Sequence, residues 1–347
     1  MPPPRPTPKL MVIGDSLAQG CRSLSVNRAF CSVSWPAQLA SAQGWEFVAP
    51  DFPRPLLFDL EDEVRRLDLG LVTDFQARMT DFEGRLRRNL GDWLVNARES
   101  ADPCFDNFAL SGAEIHDLYT RTPAAAAERI ATLAPQGRDT PLTADQIADL
   151  HLAINTRFTL NPAQDPEFAG FSPLDWVRAR RPETLLVQIG HNHGLYAVGS
   201  TADPGPIDHG HSDHGTYWQQ WERLAAELAS LPPEVGRVVV CLLPKLGAVA
   251  NLRPRGVERT SGYADTYEPV FSPSLGVLAG AQLAGVDAQV RAANDRIRAI
   301  VTAASTAAGA LGRFGFLDAY ALFAGHDFKN GLDPAARVGV GGGVVVW

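Results

Sequence analysis

The sequence has no long apolar run, no cluster of basic residues and few cysteines. Its first ten residues, MPPPRPTPKL, contain no apolar stretch of signal-peptide length, and the first apolar run, 10–13, is long enough only for a strand. We therefore expect neither an export signal nor a membrane span. The four cysteines lack the paired spacing of a zinc site and are too few for a disulfide framework in 347 residues, which favours a reducing cytoplasm.

The small number of basic residues argues against polyanionic partners. The 31 lysines and arginines are outnumbered by 39 acidic residues, so the formal net charge is −8. No stripe of Lys or Arg could follow a phosphate backbone, which argues against nucleic acid as the main partner and equally against an anionic lipid surface. With 45% apolar and 20% charged residues, the composition is that of a globular protein with a large core.

Strand-length apolar runs alternate with helical patterns along the chain. The continuous aliphatic runs typical of strands buried on both faces of a parallel sheet are 9–14, 184–190 and 237–243. Shorter strand candidates are 105–110 and 314–317, and helical periodicity predicts helices over 34–42, 81–98, 217–231 and 286–308. This alternation predicts a doubly wound α/β fold, in which helices sandwich a mainly parallel sheet and the site lies at the carboxyl ends of the strands.

Three stretches differ in composition from the rest. Residues 1–8 are Pro-rich and predict a disordered tail before a single domain over 9–347. The Ala-rich stretch 123–173 has helix signals at 143–152 and predicts a helical insertion. The stretch 246–282 is rich in Gly, Pro and Ser and predicts a loop or lid over the site, with a surface loop of no special role as the alternative.

The first buried strand leads directly into Gly14, Asp15 and Ser16. A turn with flanking glycines at the carboxyl end of a strand exposes the Ser16 hydroxyl at the edge of the sheet. A serine hydroxyl becomes a strong nucleophile only when a base removes its proton and when hydrogen-bond donors stabilise the developing oxyanion. Ser16 is thus a candidate nucleophile, and its alternative role is to cap the next helix.

Two later segments offer donors for such an oxyanion. Gly112 ends the segment NFALSG, where a backbone N–H without a neighbouring side chain can approach a substrate oxygen closely. Asn192 follows Gly190 at the end of another strand, so that its amide can donate to the same oxygen. Singly these residues read as a helix start and a turn. Three such segments in this order favour a serine nucleophile with an oxyanion hole.

The blocks VIGDSLAQG, NFALSG and GHNH resemble those of the SGNH hydrolases, also called GDSL esterases and lipases. The resemblance spans 9–347 and implies a flavodoxin-like three-layer fold that hydrolyses acyl esters without a cofactor. It implies Ser16 as the nucleophile and as one backbone donor, Gly112 as a second backbone donor and Asn192 as a side-chain donor. His193 stands where the family usually has Asp. The substrate expected is a small-molecule, lipid or acylated-sugar ester, and the sequence does not indicate an oligomeric state.

The family's last block, D-x-x-H, has no counterpart in the expected place. The run GGGVVVW over 341–347 resembles the apolar stretch before that block, and the sequence then ends. Two explanations stay open: the sequence is truncated relative to a longer protein, or this is a natural variant without the block. His326, which follows Asp318, is one candidate for the missing base, and a solvated loop histidine is the alternative.

A histidine-rich stretch supports other hypotheses. His209, His211 and His214 alternate with two Asp residues, and His191 and His193 precede them, so a metal-dependent hydrolase is an alternative to the serine esterase. The cluster also reads as a polar loop that binds metal only adventitiously, or as a source of a substitute base, His211 with Asp208. The remaining alternative is a catalytically impaired protein that keeps the fold and binds an ester or carboxylate.

Overall fold

The structure is a computed structural model. It describes residues 6–22, 25–56, 84–86, 88–93, 100, 102–139, 143–192, 213–248, 252–256, 262–269, 277–325, 338–340 and 343–345. Contacts divide the chain into two compact units. Unit 1 comprises Met1–Gln188 and Leu231–Val238, and unit 2 comprises Ile189–Ser230 and Val239–Trp347. The single domain over 9–347 stays a prediction.

Strands and helices alternate in the described residues. The strands are β1 (Leu10–Gly14), β2 (Thr184–Gln188), β3 (Arg237–Cys241), β4 (Leu252–Arg255), β5 (Thr266–Pro269), β6 (Leu278–Ala279), β7 (Phe314–Leu317), β8 (Val338–Val340) and β9 (Gly343–Val345). Four of them form a parallel sheet in the order β1–β2–β3–β7. The predicted α/β class is confirmed.

The helices include counterparts of those predicted over 34–42, 217–231 and 286–308, whereas the helix predicted over 81–98 lies partly outside the described residues. They are α1 (Ser16–Gln19), α2 (Arg28–Ser32), α3 (Trp35–Ala42), α4 (Asp117–Thr120), α5 (Pro123–Asp139), α6 (Ala144–Leu160), α7 (Pro173–Arg180), α8 (Tyr217–Ala229), α9 (Gly280–Ala307) and α10 (Ala319–Gly325). Capping boxes at Thr143, Ser172 and Thr216 begin α6, α7 and α8, because each hydroxyl accepts a hydrogen bond from the backbone three residues later. No helix in the described ranges is long and apolar enough to cross a membrane.

In unit 1, β1 has a hydrogen-bonded neighbour on each side. β2 pairs with it in parallel, from Leu10 opposite Thr184 to Gly14 opposite Gln188, and all five residues of β1 are buried. On the other side runs an extended segment, 106–110, whose Phe108 and Leu110 amides donate to carbonyls of β1 over 2.8 and 2.9 Å. The sequence predicts a strand over 105–110. The structure has an extended segment joined to β1 by one isolated bridge.

An aromatic core lies behind this segment. Phe158 of α6 is the central ring, with its centroid 4.8 Å from Phe52, 5.5 Å from Trp93 and 5.6 Å from Phe105. The predicted helical insertion supplies α5 and α6, which pack against each other and bury apolar residues in this cluster. Burial of such large rings is a major favourable term for folding. The helices of the insertion are therefore part of the core of unit 1.

Unit 2 contains α8, which packs on α9, and two small antiparallel sheets. Tyr217, Trp221 and Leu224 line the buried face of α8, which confirms its predicted amphipathic character. The stretch interpreted from sequence as a loop or lid, 246–282, includes β4, β5 and β6, which form an antiparallel sheet. Charged and polar residues interrupt β4 and β5, so no continuous apolar run marks these strands in the sequence. Arg255 pairs with Glu268 across β4 and β5 at 2.8 Å.

Candidate active site

Ser16 is the first residue of the one-turn helix α1, directly after β1 ends. Asp15 caps this helix: its carboxylate accepts a hydrogen bond from the Leu17 amide over 3.2 Å. The Asp15 amide donates to the Gln188 carbonyl over 3.0 Å, which ties the turn to the end of β2. Ser16 is half-buried, whereas Asp15 is fully buried. The buried aspartate therefore holds the turn that presents the serine.

Gly14 permits the close approach of β1 and β2 at this turn. A Cβ atom at Gly14 would overlap the carbonyl oxygen of Gln188 on the paired strand. Only glycine fits there without a shift of the backbone. The first glycine of the motif therefore serves the packing of the sheet beneath Ser16, which is a role that the motif alone does not reveal.

The segment that ends at Gly112 is attached to the same helix. The buried Asn107 side chain donates to the Ala18 carbonyl over 2.9 Å, and the Ser111 amide donates to the Gln19 side-chain oxygen over 2.7 Å. Since 106–110 runs parallel to β1, Ser16 and Gly112 both follow the carboxyl ends of neighbouring segments. The structure thus brings the first two predicted blocks to one edge of unit 1.

Gly112 has the properties of a backbone donor to a ligand. It is exposed, and its φ angle is 91°. Among the described residues, the atom nearest to a Cβ placed there would be Leu152 Cβ, at 3.9 Å. Such a φ angle favours glycine. Within the part of the chain that the structure describes, the Gly112 N–H has no acceptor. An amide of this kind can donate to an added oxygen atom without breaking a bond of the protein.

The third predicted block belongs to unit 2. The Gly190 carbonyl accepts a hydrogen bond from the Tyr217 hydroxyl over 3.2 Å, and a Cβ atom at Gly190 would lie 3.0 Å from that hydroxyl. Asn192 is half-buried in the turn that follows. Ser16 and Gly112 belong to unit 1. The convergence of the Asn192 amide with them on one oxygen atom stays a prediction.

Most of the histidines proposed as bases or metal ligands lie outside the described residues, namely His193, His209, His211 and His326. His214 is described and exposed, in the turn before α8. In the described ranges, no group of three or more His, Cys, Asp or Glu side chains is arranged to hold a metal ion. The metal-dependent alternative and the base therefore stay untested.

His116 is the described histidine that lies among carboxylates. Its Nδ1 is 3.6 Å from a Glu114 oxygen and its Nε2 is 3.4 Å from an Asp117 oxygen. Asp117 also accepts hydrogen bonds from Arg121, over 2.7 Å, and from the Glu114 amide, over 2.8 Å. This buried cluster follows Gly112 closely in the chain. Its contacts fix the start of α4, which agrees with a structural role for His116.

Sequence reasoning missed the pair Gln19 and Asn155. Both amides are fully buried and bond to each other, although 136 residues separate them in the chain. Their positions, at the end of a one-turn helix and within a presumed insertion, have no pattern that marks a site. The one signal in sequence is weak: each follows directly after an apolar residue, Ala18 or Ile154.

Together, these features define an α/β protein with a serine at the carboxyl end of a parallel strand and a neighbouring glycine amide open to a ligand. No protein-family model matches the chain, and neither does any curated protein or solved structure. What the protein does must therefore be inferred from these residues.

Proposed function

We propose that the protein is a serine ester hydrolase of the SGNH type, in which Ser16 attacks the carbonyl carbon of an acyl ester. One observation carries the proposal. Ser16 begins a helix that is hydrogen-bonded to the segment ending at Gly112, and the exposed Gly112 N–H has no acceptor among the described residues. A nucleophile beside such a donor is the minimal arrangement for acyl transfer.

The reaction has two steps. In the first, the Ser16 oxygen bonds to the ester carbonyl carbon, its proton passes to a base, and the carbonyl oxygen becomes an oxyanion that accepts a hydrogen bond from the Gly112 N–H. The alcohol then leaves with a proton, and an acyl-enzyme remains. In the second step, water attacks the acyl carbon, and the carboxylic acid and Ser16 are released.

The remaining groups of the reaction come from the family resemblance. It adds the Ser16 amide and the Asn192 side chain as donors to the oxyanion, each of the kind whose removal lowers kcat about 10²- to 10³-fold. The base is a histidine, for which His326 and His211 are the candidates. Substituting each histidine by Gln identifies the base, provided that the wild-type protein is active. Loss of the base lowers kcat by several powers of ten, although the variant is still folded.

A fluorophosphonate probe tests the proposal on the full 347-residue chain. The probe phosphonylates an activated serine, and mass spectrometry of the digested protein locates the adduct. We expect an adduct on Ser16, no adduct in Ser16→Ala, and unchanged labelling after treatment with a chelator. Ser41→Ala is the matched control, since Ser41 is an exposed serine at the end of α3, away from the motif.

Each of the other outcomes supports a different function. A folded protein that is not labelled and does not hydrolyse p-nitrophenyl acetate lacks a working base. This result would favour the catalytically impaired protein that binds an ester or carboxylate. Hydrolysis that a chelator abolishes and zinc restores indicates the metal-dependent hydrolase. Labelling of Ser41 or of many serines alike contradicts the assignment of Ser16.

A further inference from the structure

The side chain of Gln19 joins three elements of unit 1. Gln19 is the last residue of α1, the helix that Ser16 begins, and it is completely buried. Its Oε1 accepts hydrogen bonds from the Ser111 amide over 2.7 Å and from Asn155 Nδ2 over 2.9 Å. Its Nε2 donates to Asn155 Oδ1 over 2.7 Å. One buried amide thus links the helix of the nucleophile, the segment before Gly112 and helix α6.

The orientation of both amides is determined by their partners. The Ser111 N–H can only donate, so the atom facing it must be the Gln19 oxygen. The Gln19 nitrogen then faces Asn155, whose Oδ1 also accepts from the Thr159 hydroxyl over 2.9 Å. The network is therefore satisfied in one arrangement only. Reversing either amide would bring two donors together in a buried place, which is costly.

This network anchors the backbone directly before Gly112. Gly112 itself has no side chain, and among the described residues the nearest neighbour of a Cβ atom placed there would be Leu152 Cβ, at 3.9 Å. The bond from Ser111 to Gln19 is one residue before it and anchors the backbone to α1. Asn155 in turn holds the Gln19 side chain in place from the core of unit 1.

We propose that Gln19 and Asn155 are positioning residues that set the distance between the Ser16 hydroxyl and the Gly112 N–H. The inference rests on the proposed esterase function. The pair does not touch the substrate; it acts through α1 and through the Ser111 backbone. Because an oxyanion donor works only when it is placed accurately, a displacement of about 1 Å is expected to lower the rate about 100-fold without an equal change in substrate binding.

The test uses variants of the full chain. Gln19→Met keeps the volume of the side chain but removes all three hydrogen bonds, and Asn155→Leu removes the support of Gln19. For both, we expect kcat for p-nitrophenyl acetate to fall about 10- to 100-fold, with KM changed less than about threefold. The kcat of the double variant should be no lower than that of the less active single variant, because the two residues act as one unit.

Gln19→Glu and Thr156→Val are the matched controls. The carboxylate of Gln19→Glu can still accept from the Ser111 amide, so its kcat should lie between those of the wild type and Gln19→Met. Thr156 is a fully buried neighbour on α6 whose hydroxyl donates to the Leu152 carbonyl over 2.7 Å and takes no part in the network. Thr156→Val therefore reports the effect of losing a buried hydrogen bond in α6, and we expect its kcat to equal that of the wild type.

The outcomes separate this inference from the proposed function. If the wild type neither hydrolyses the ester nor forms an adduct on Ser16, the esterase proposal fails and the positioning role fails with it. If the wild type is active and folded Gln19→Met or Asn155→Leu keeps the kcat of Thr156→Val, only the positioning role is overturned. Thermal unfolding identifies a variant that does not fold. The positioning role is then tested with the variant of the other residue of the pair.

Discussion

The guanidinium of Arg180 donates a hydrogen bond to the Asp106 carboxylate over 2.7 Å, and the exposed fractions of the two side chains are 2% and 5%. The same guanidinium donates to the Phe105 carbonyl over 2.7 Å, and the other Asp106 oxygen accepts from the Val48 amide over 2.7 Å. Asp106 begins the segment that runs beside β1 to Gly112. This buried ion pair thus holds the start of a segment on which the site depends.

Removing one member of the pair is expected to destabilise the protein strongly. Arg180→Met leaves the Asp106 carboxylate buried without its cation, which costs about 3–5 kcal/mol of the free energy of unfolding. Arg181→Met is the control, since Arg181 forms an exposed ion pair with Glu234 and its loss should cost at most about 1 kcal/mol. Urea unfolding of the two variants measures both values. Equal losses would contradict the role assigned to the buried pair.

Two Gly→Ala substitutions should change the stability of the protein in opposite directions. Gly14→Ala places a methyl group on the Gln188 carbonyl and should destabilise the protein, because relief requires β1 and β2 to separate. Gly285 is exposed in the interior of α9, with open space around a Cβ atom, so Gly285→Ala should raise stability by about 0.5–1 kcal/mol. Thermal unfolding gives both signs in one experiment. A Gly14→Ala protein as stable as the wild type would show that the strands tolerate the displacement.

The stability of the folded chain should fall in mild acid because of His151. Burial lowers the pKa of this imidazole on α6 to about 4, whereas a histidine in an unfolded chain titrates near 6.5. Between these values the unfolded chain binds the proton more tightly, so stability is lost as pH falls from about 7 to 4. In His151→Gln, the decrease in the free energy of unfolding between pH 7 and pH 5 should be smaller than in the wild type by about 1–2 kcal/mol. Urea unfolding at pH 7 and at pH 5 measures this difference, and an equal loss of stability in His151→Gln and in the wild type would contradict the prediction.

The four cysteines should differ in their rate of alkylation. None of them forms a disulfide, and Cys21 is half-buried while Cys31, Cys104 and Cys241 are buried. Burial also raises the pKa of the Cys31 thiol, which lowers its thiolate fraction. Iodoacetamide at pH 8 should therefore modify Cys21 first, and the others only after denaturation, as mass spectrometry can follow. Equal rates in the folded protein would be inconsistent with this burial.

Elements with a strong local pattern were predicted well. The run 9–14 predicts β1 because a strand buried on both faces needs aliphatic residues, and the amphipathic pattern of 217–231 predicts α8 because its apolar residues recur at helical spacing. Helix α9 begins at Gly280, six residues before the predicted start at 286, because the Gln282 side chain accepts from the Ala279 amide and caps it. A capping contact of this kind has only a weak trace in sequence.

Elements whose stability comes from distant partners were predicted less well. The segment 105–110 has a strand-like composition. Among the described residues, however, it pairs with β1 through an isolated bridge and does not form a strand. The sheet of β4, β5 and β6 consists of short strands without a continuous apolar run, and Pro254 within β4 argues against a strand when only the sequence is read. In such places, cross-strand pairing decides the conformation, and the residues of one strand do not encode it alone.

The sequence by itself determined the α/β class and the position of Ser16 after the first buried strand, because burial in a parallel sheet requires a continuous aliphatic run that is visible locally. Only the tertiary structure decided which polar residues hold that serine in place. Gln19 pairs with Asn155 across 136 residues and Arg180 with Asp106 across 74. Such bonds form because buried polar groups must be satisfied by whatever partner the folded chain brings near, and no local pattern records that choice.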